Sequence, residues 1–146
     1  MKGSEVYISR SPRESVEFGV RFAGRLRPGD VVALCGGLGV GKTVLARGIC
    51  RGLGYTGEVT SPSFVRVHNY RAGIPIYHVD FYLARSAEDA MDLGLDELFD
   101  DEGVVIIEWA QRFPGVVPAG CWLIEMTWPG GGETVREISI TRKGDQ

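Results

Sequence analysis

The alternation of apolar and polar positions begins with a short strand followed by a helix. Residues Glu5–Ser9 alternate weakly, which predicts a strand. Ser11 is followed by Pro12 and Glu14, so it can cap a helix with proline in its first turn and glutamate three residues after the cap. The apolar positions that recur at helical spacing in this helix are Val16, Val20, Ala23 and Leu26. The helix is expected to end before Pro28, because proline does not continue a helix.

Two uninterrupted apolar runs, at residues 31–35 and 104–107, predict buried parallel strands. A strand that helices cover on both faces needs apolar side chains on both sides, so it loses the alternation of a half-exposed strand. Between these runs, residues 43–53 have the pattern of a helix, and Gly54 after them suits the left-handed conformation that ends many helices. This succession of strand, helix and strand favours an α/β fold.

Two pairs of strand-like runs predict antiparallel hairpins. Residues 64–70 and 74–80 flank a short turn that contains glycine. Trp122–Thr127 and residues 134–141 flank a turn with three successive glycines, and this second hairpin is expected at an edge of the sheet. The fold class is therefore predicted to be α/β, with a mixed, mainly parallel sheet and antiparallel edge strands.

Residues 86–99 have a helix-like pattern but are strongly acidic. Together with Asp100, Asp101 and Glu102 they contain eight acids and no basic residue. Such a segment is either a solvated helix face or a docking surface for a basic partner, and both interpretations stay open at this point.

The composition is that of one ordinary globular domain. The 146 residues suffice for a single core and are predicted to form one domain over residues 1–146. With 44% hydrophobic residues, 24% charged residues and a net charge of -3, the chain resembles neither a disordered protein nor one that coats nucleic acid. No signal-peptide pattern or membrane-length apolar run occurs, so a cytoplasmic location is expected. The three cysteines lie far apart in apolar stretches and are expected to be buried.

A glycine-rich loop follows the first apolar run and precedes the predicted helix. It satisfies the phosphate-loop pattern G-x-x-x-x-G-K-[ST] at Gly36, Gly41, Lys42 and Thr43. Backbone N–H groups and the positive end of the helix would hold phosphate oxygens, with Lys42 as the cation and the Thr43 hydroxyl on Mg²⁺. The predicted nucleotide-binding residues of the loop are Gly36, Gly37, Leu38, Gly39, Val40, Gly41, Lys42 and Thr43. A P-loop NTPase-like three-layer fold is therefore expected.

Two acids are placed to complete a metal site beside this loop. Asp80 and Glu108 each end an apolar run, so both should emerge at the loop-bearing edge of a parallel sheet, where ligands bind. They are predicted to divide two roles, holding Mg²⁺ and orienting the attacking water. His78 suits a core position as well as it suits a ligand. No N-K-x-D sequence that would read guanine occurs, which favours ATP over GTP.

Four short motifs accompany the phosphate loop. They are SPSF at residues 61–64, HVDFY at 78–82, LGLDE at 93–97 and IEW at 107–109. With these motifs the chain resembles the bacterial TsaE family, the small ATPase required for threonylcarbamoyladenosine modification of tRNA. The match covers about residues 29–112, in the family's order and spacing, and the combination is more specific than the phosphate loop alone.

The resemblance implies roles for the matched residues. The family's phosphate-loop lysine and threonine fall on Lys42 and Thr43, and the acids of its second and fourth motifs fall on Asp80 and Glu108. Lys42, Asp80 and Glu108 are therefore predicted to be catalytic. Thr43, Asp80 and Glu108 are predicted to bind the metal. The switch-like segment that responds to nucleotide is predicted at Ser61, Pro62, Ser63 and Phe64.

The resemblance also implies cofactors, partners and more distant contacts. Ser11 and Arg112 are predicted nucleotide contacts by family analogy, and Trp109 is expected either to report nucleotide through its fluorescence or to cover the sheet. The implied cofactors are ATP and Mg²⁺. The implied partner is a heterodimer of the tRNA threonylcarbamoyltransferase subunit and its partner subunit, so that tRNA is met only indirectly. Hydrolysis would reset that complex between rounds.

The chain departs from the family's pattern at four positions. The family commonly has an acid at Gly37 and alanine at Val40, both within the variable part of the loop. Ser63 replaces threonine and keeps the hydroxyl. Leu83 stands where the family usually has arginine, so a charge contact from that position would have to come from a substitute such as Arg85.

Two alternatives to this ATPase stay open. A small nucleotide or metabolite kinase could use the same loop, although the chain has little length left for an acceptor pocket and an arginine-bearing lid. A nucleotide-dependent protein-binding switch would use the bound state as its signal. The kinase would consume ATP only with a small acceptor, and the switch would bind its partner without an intact Glu108.

Overall fold

A seven-stranded mixed sheet forms the central layer of the computed structural model, which describes residues 4–62 and 66–144. In chain order its strands are β1 (Glu5–Ser9), β2 (Val31–Gly36), β3 (Val67–Arg71), β4 (Pro75–Asp80), β5 (Val104–Glu108), β6 (Trp122–Thr127) and β7 (Arg136–Arg142). Across the sheet they lie in the order β1-β7-β6-β2-β5-β4-β3. The neighbours β6, β2, β5 and β4 are parallel, and the pairs outside them are antiparallel.

The predicted α/β class with a mixed, mainly parallel sheet is confirmed, and so are the two hairpins, β3 with β4 and β6 with β7. The position of the second hairpin is a correction. It does not form the edge of the sheet, because β6 is hydrogen-bonded to β2 and β7 to β1, which leaves β1 as the edge strand. Residues 64 and 65, at the predicted start of the first hairpin, lie outside the described residues.

Helices α1 (Pro12–Ala23) and α2 (Lys42–Gly52) cover one face of the sheet. The predicted cap of α1 is confirmed, because the backbone N–H of Glu14 donates to the Ser11 hydroxyl oxygen at 3.1 Å. The predicted end of α2 is confirmed as well, since Gly54 has the left-handed conformation, with a φ of 100°.

The buried face of α1 differs in part from the prediction. The inward-facing residues are Ser15, Phe18, Gly19, Phe22 and Ala23. Val20 is 37% exposed, and Leu26 lies beyond the end of the helix. The cause is the close approach of α1 to α2, because a Cβ built on Gly19 would lie 2.8 Å from the Leu45 carbonyl oxygen and 2.8 Å from the Ile49 nitrogen. The glycine contact, rather than the spacing of small apolar residues, therefore sets the orientation of α1.

The opposite face of the sheet is covered by α3 (Ala87–Met91), α4 (Leu95–Asp100) and 3₁₀ turns at Ala110–Arg112 and Pro114–Val116. The single helix predicted over residues 86–99 is wrong. Gly94 divides it, because its φ of 87° is incompatible with an α-helix. With helices on both faces of the sheet, the expected three-layer architecture is confirmed.

The acids of this segment lie at the surface of α3 and α4. Ala90 and Leu95 are fully buried and fix the inner side of the two helices. Asp89 is the half-buried acid, and its Oδ1 lies 3.5 Å from the Arg66 guanidinium. The exposure of the other acids agrees with a solvated face, and a docking role for them stays a prediction.

The three cysteines are buried and free, as expected. Burial raises the pKa of the Cys35 thiol to about 11 and that of Cys50 to about 12, so both thiols are protonated at neutral pH. Within the described ranges, no helix has the length and apolar character needed to cross a bilayer.

Candidate functional site

The phosphate loop connects β2 to α2 and is bent at its glycines. Gly36, Gly39 and Gly41 have φ values of 155°, 76° and 111°, which residues with side chains rarely adopt. Gly41 precedes the first turn of α2, and among the described residues no side chain caps this helix end. The first N–H groups of α2 therefore lie at the loop without a side-chain partner, together with the positive end of the helix dipole. This arrangement suits an anionic ligand.

Lys42 lies folded over the loop. Its Nζ donates to the carbonyl oxygens of Gly36 and Gly37, at 2.8 Å each, and lies 4.1 Å from the centre of the Trp109 ring. Lys42 is 5% exposed, and this burial lowers the pKa of its ammonium group, although two nearby carboxylates act in the opposite direction. Since the two carbonyls are neutral acceptors, an anionic phosphate oxygen would be a stronger partner for this cation.

Both predicted acids lie beside the loop. Asp80 and Glu108 end β4 and β5, are paired in register, and are 2% and 3% exposed. The Thr43 hydroxyl lies 3.0 Å from Oε1 and 2.9 Å from Oε2 of Glu108, to which it donates. Asp80 accepts the backbone N–H of Tyr82 through Oδ1 at 2.6 Å. The structure thus brings the phosphate-loop threonine and the two acids to one edge of the sheet.

The donor set at this edge fits Mg²⁺ in the presence of phosphate. Across residues 4–62 and 66–144, no group of three or more His, Cys, Asp or Glu side chains could hold a metal ion. Mg²⁺ is commonly held by one or two carboxylates together with substrate phosphates, rather than by a cage of protein ligands. Asp80, Glu108 and Thr43 provide two carboxylates and one hydroxyl, so a phosphate would supply the missing oxygens.

A cavity of about 540 Å³, within the size range of small-molecule sites, opens over Thr43 and Glu108. Its lining residues are Leu38, Gly39, Gly41, Lys42, Thr43, Val44, Ser61, Tyr82, Leu83, Glu108 and Trp109. Leu38, Tyr82 and Leu83 form an apolar rim and are 74%, 42% and 43% exposed. Among these lining residues Lys42 is the one cation and Glu108 the one acid, so a cationic and an anionic group meet at the cavity floor.

Residues 9–138 match the family model described as "Threonylcarbamoyl adenosine biosynthesis protein TsaE". The chain belongs to the TsaE family. The fold agrees, because the structure is similar to the crystal structure of Bacillus subtilis YdiB, with a TM-score of 0.82 and 32% sequence identity over 99% of this chain and 89% of that chain.

Several curated relatives match between 65% and 93% of this chain. A Bacillus subtilis protein is 36% identical over 93% of this chain and 84% of its own length. A Treponema pallidum protein is 37% identical over 91% of this chain and 97% of its own length. A Streptomyces coelicolor protein is 48% identical over 65% of this chain and 66% of its own length. All three are named tRNA threonylcarbamoyladenosine biosynthesis protein TsaE.

The structure describes only the first half of the predicted switch-like segment, residues 61–64. Ser61 lines the main cavity, and Pro62 accepts the backbone N–H of Arg66, whereas Ser63 and Phe64 lie outside the described residues. A switching role for the segment stays a prediction.

Ser11 and Arg112 are separated in the structure. Ser11 lines a second cavity, of about 200 Å³, which shares Gly39, Gly41 and Val44 with the first. Arg112 donates to the Ala84 carbonyl at 2.8 Å and lines neither cavity. A nucleotide contact from either residue stays a prediction, and the geometry favours Ser11.

Trp109 has a backbone conformation that is uncommon for a large residue, with a φ of 60°. Its ring lies beside Lys42 and 4.9 Å from the Tyr82 ring, so it forms one wall of the cavity. Strained backbone of this kind is frequent at binding sites.

At Leu83, where the family usually has arginine, the guanidinium of Arg66 reaches the backbone carbonyl at 3.3 Å. The idea that Arg85 makes the charge contact in place of an arginine at position 83 stays a prediction.

Three contacts at the site were not predicted from the sequence. His78 is fully buried, and its Nε2 lies 2.6 Å from Glu108 Oε2. Gln111 donates to the Gly36 carbonyl at 2.9 Å, and Arg136 donates to the Val40 carbonyl at 2.8 Å. His78 lies two residues before Asp80, and side chains alternate along a strand, so this spacing could have placed both on the same face. Gln111 and Arg136 come from segments without such a signal.

Proposed function

We propose that the chain is a magnesium-dependent ATPase that acts in threonylcarbamoyladenosine modification of tRNA. The observation that carries this proposal is the convergence of Lys42, Thr43 and Glu108 on the floor of one cavity at a glycine-bent helix N-terminus. Membership of the TsaE family supports the pathway, because the curated relatives are named for tRNA threonylcarbamoyladenosine biosynthesis. A cytoplasmic location is part of the proposal.

The loop residues bind the triphosphate. The N–H groups at the start of α2 donate to phosphate oxygens, and Lys42 exchanges its two carbonyl acceptors for a phosphate oxygen. Because the Thr43 hydroxyl directs its proton to Glu108, the lone pairs of its oxygen stay available to a cation. Thr43, Glu108 and Asp80 hold Mg²⁺, which when bound neutralises charge on the phosphate oxygens.

The two acids divide the remaining work. Besides holding the metal, one of the two carboxylates orients the attacking water, which must lie in line with the bond from the γ-phosphorus to the leaving ADP oxygen. Glu108 shares hydrogen bonds with both Thr43 and His78, so its orientation is fixed within the protein. Burial of both acids keeps bulk water from competing for the same positions.

The partner is proposed to be the heterodimer of the threonylcarbamoyltransferase subunit and its partner subunit, with hydrolysis resetting this complex between rounds. The net charge of -3 does not favour direct binding of tRNA, which agrees with an indirect role. The apolar rim of Leu38, Tyr82 and Leu83 favours a second candidate, a protein-binding switch in which the nucleotide state controls docking at the cavity mouth.

Two measurements test the proposal. Calorimetric titration with Mg-ATP should show binding by the wild-type chain and none by Lys42→Ala, because that variant lacks the cation that the cavity lining provides. Modification of tRNA in a strain depleted of its own TsaE should be restored by the wild-type chain and not by Glu108→Ala. Restoration by Glu108→Ala would favour the switch, and failure of the wild-type chain to bind Mg-ATP would contradict both candidates.

A further inference from the structure

A line of hydrogen-bonded side chains runs from Glu108 into the β3–β4 hairpin. His78 Nε2 lies 2.6 Å from Glu108 Oε2, and the Tyr70 hydroxyl lies 3.2 Å from His78 Nδ1. His68, the register partner of His78 on β3, places its Nδ1 3.1 Å from the same hydroxyl. His78 and Tyr70 are 0% and 7% exposed, so bulk water does not compete for the hydrogen bond between them.

The chemistry of these groups gives the line a direction. A carboxylate only accepts hydrogen bonds, so the proton between His78 and Glu108 belongs to His78 Nε2. In a neutral imidazole the other nitrogen is then an acceptor, and the Tyr70 hydroxyl donates to His78 Nδ1. The alternative acceptor for Tyr70, the Thr60 carbonyl, lies 3.5 Å away, which is long for an O–H···O bond. His68 Nδ1–H in turn donates to the Tyr70 oxygen.

Glu108 receives donors from two sides. Thr43 approaches from the phosphate loop and His78 from β4, and both contact Oε2. Under the proposed function the Thr43 oxygen also faces the metal, whereas His78 lies in the sheet and is hydrogen-bonded to Tyr70 and Glu108. His78 is therefore the donor whose position does not depend on the ligand.

We propose that His78 is a positioning residue that holds the Glu108 carboxylate in its reactive orientation, and that Tyr70 fixes the tautomer of His78. This inference rests on the proposed ATPase function, because it concerns the carboxylate that the reaction uses. It predicts a loss in kcat rather than in nucleotide affinity, since the groups that grip the phosphates are the amides of the loop and Lys42.

Steady-state kinetics of ATP hydrolysis with the two-subunit partner, together with Mg-ATP affinity, test the inference. His78→Leu should lower kcat by about 10- to 100-fold, the usual effect of removing a partner that orients a metal-site ligand, with Kd for Mg-ATP changed by less than about twofold. His78→Gln, which can place an N–H near the position of Nε2, should recover part of the loss. Tyr70→Phe should lower kcat by a smaller factor.

The matched control is Tyr55→Phe. The Tyr55 ring is stacked on that of Tyr70 at 4.7 Å, but its hydroxyl contacts the Glu58 carbonyl outside the line. The same loss of one phenol hydroxyl should therefore leave kcat unchanged. In a Glu108→Gln background, His78→Leu should cost no further kcat, because His78 acts through Glu108. An equal loss in both backgrounds would overturn the inference, as would a loss confined to Kd.

A readout independent of hydrolysis separates this inference from the proposed function. The chain has two histidines, so ¹⁵N side-chain spectra can be assigned with a single His68→Gln variant. His78 should be the tautomer protonated at Nε2, and Tyr70→Phe should perturb its Nδ1 signal. Protonation of His78 at Nδ1 alone would contradict the inference even if the wild-type chain hydrolyses ATP. Absence of hydrolysis with the predicted tautomer present would instead contradict the proposed function.

Discussion

Replacement of Thr43 by valine tests the contact between the phosphate loop and Glu108. Valine keeps the branched shape of threonine and removes the hydroxyl that lies 3.0 Å and 2.9 Å from the two carboxylate oxygens. A hydrogen bond to a charged group contributes about 1.5–3 kcal/mol, and this single shared proton at a half-buried site belongs near the lower end. We therefore expect Thr43→Val to lower the free energy of unfolding by about 2 kcal/mol, or the Tm by roughly 4–8 °C.

Thermal unfolding followed by circular dichroism, with EDTA and without nucleotide, measures this loss apart from any ligand. Thr43→Ser keeps the hydroxyl and should stay close to wild type. Thr127→Val makes the same chemical change at an exposed position of β6 and should have little effect. With Mg-ATP added, Thr43→Val should gain less stability than wild type, because it also lacks the oxygen proposed to bind the metal.

A Thr43→Val variant as stable as wild type would refute the reasoning, because the loop and Glu108 would then not be joined in the nucleotide-free chain. If Thr43→Val is less stable than wild type but is stabilised equally by Mg-ATP, the contact between Thr43 and Glu108 is supported. The Thr43 hydroxyl would then not bind the metal.

Three further predictions follow from the structure. Gly19→Ala should destabilise the fold by about 1–3 kcal/mol in urea unfolding, because its Cβ would meet the backbone of α2, whereas Gly73→Ala has no atom within 4 Å and should be neutral. Burial lowers the pKa of Lys42 in the folded chain, so keeping its ammonium group charged there costs folding free energy at neutral pH. This cost disappears as the pH rises from the folded-state pKa to the pKa of the unfolded chain. The unfolding free energy of wild type relative to Lys42→Met should therefore rise between pH 7 and about pH 10. Because Lys42 lies 4.1 Å from the Trp109 ring, Mg-ATP should change Trp109 emission in wild type, and an unchanged spectrum at saturation would show that Lys42 does not move.

Much of the sheet could be predicted because burial on both faces leaves a simple signal. Residues 31–35 and 104–107 are continuous apolar runs, and both form central strands. The phosphate loop follows the first of these strands, Glu108 ends the second and Asp80 ends β4, so all three lie at the carboxyl end of a strand. The family resemblance then supplied roles that spacing alone left open.

The errors arise where long-range packing decides the outcome. The face of α1 depends on contact with α2 at Gly19, and hydrophobic spacing within α1 does not contain that information. The edge of the sheet is β1 because residues near the start of the chain pair with β7. The local pattern of residues 86–99 predicted one helix, but Gly94, which has a positive φ, divides the segment into two.

The sequence pattern located the two acids beside the phosphate loop but missed contacts that come from more distant segments. Asp80 and Glu108 were identified because acids after apolar strands are conspicuous. His78 was left between core and ligand, and the structure gives it a specific partner in Glu108. Arg112, suggested by analogy, donates to the Ala84 carbonyl, and Arg136, which was not predicted, reaches the loop from β7. Sequence spacing does not reveal contacts between residues that are distant in the chain.

We propose above all that the chain hydrolyses Mg-ATP bound in the cavity over the phosphate loop, and that the reaction requires the Glu108 carboxylate. The most direct measurement is phosphate release at saturating Mg-ATP, by the wild-type chain and by Glu108→Gln, each with the two-subunit partner. We predict turnover in wild type that the partner stimulates, and a loss of about 100-fold in Glu108→Gln with nucleotide binding retained. Equal rates of phosphate release from the two proteins would contradict this proposal.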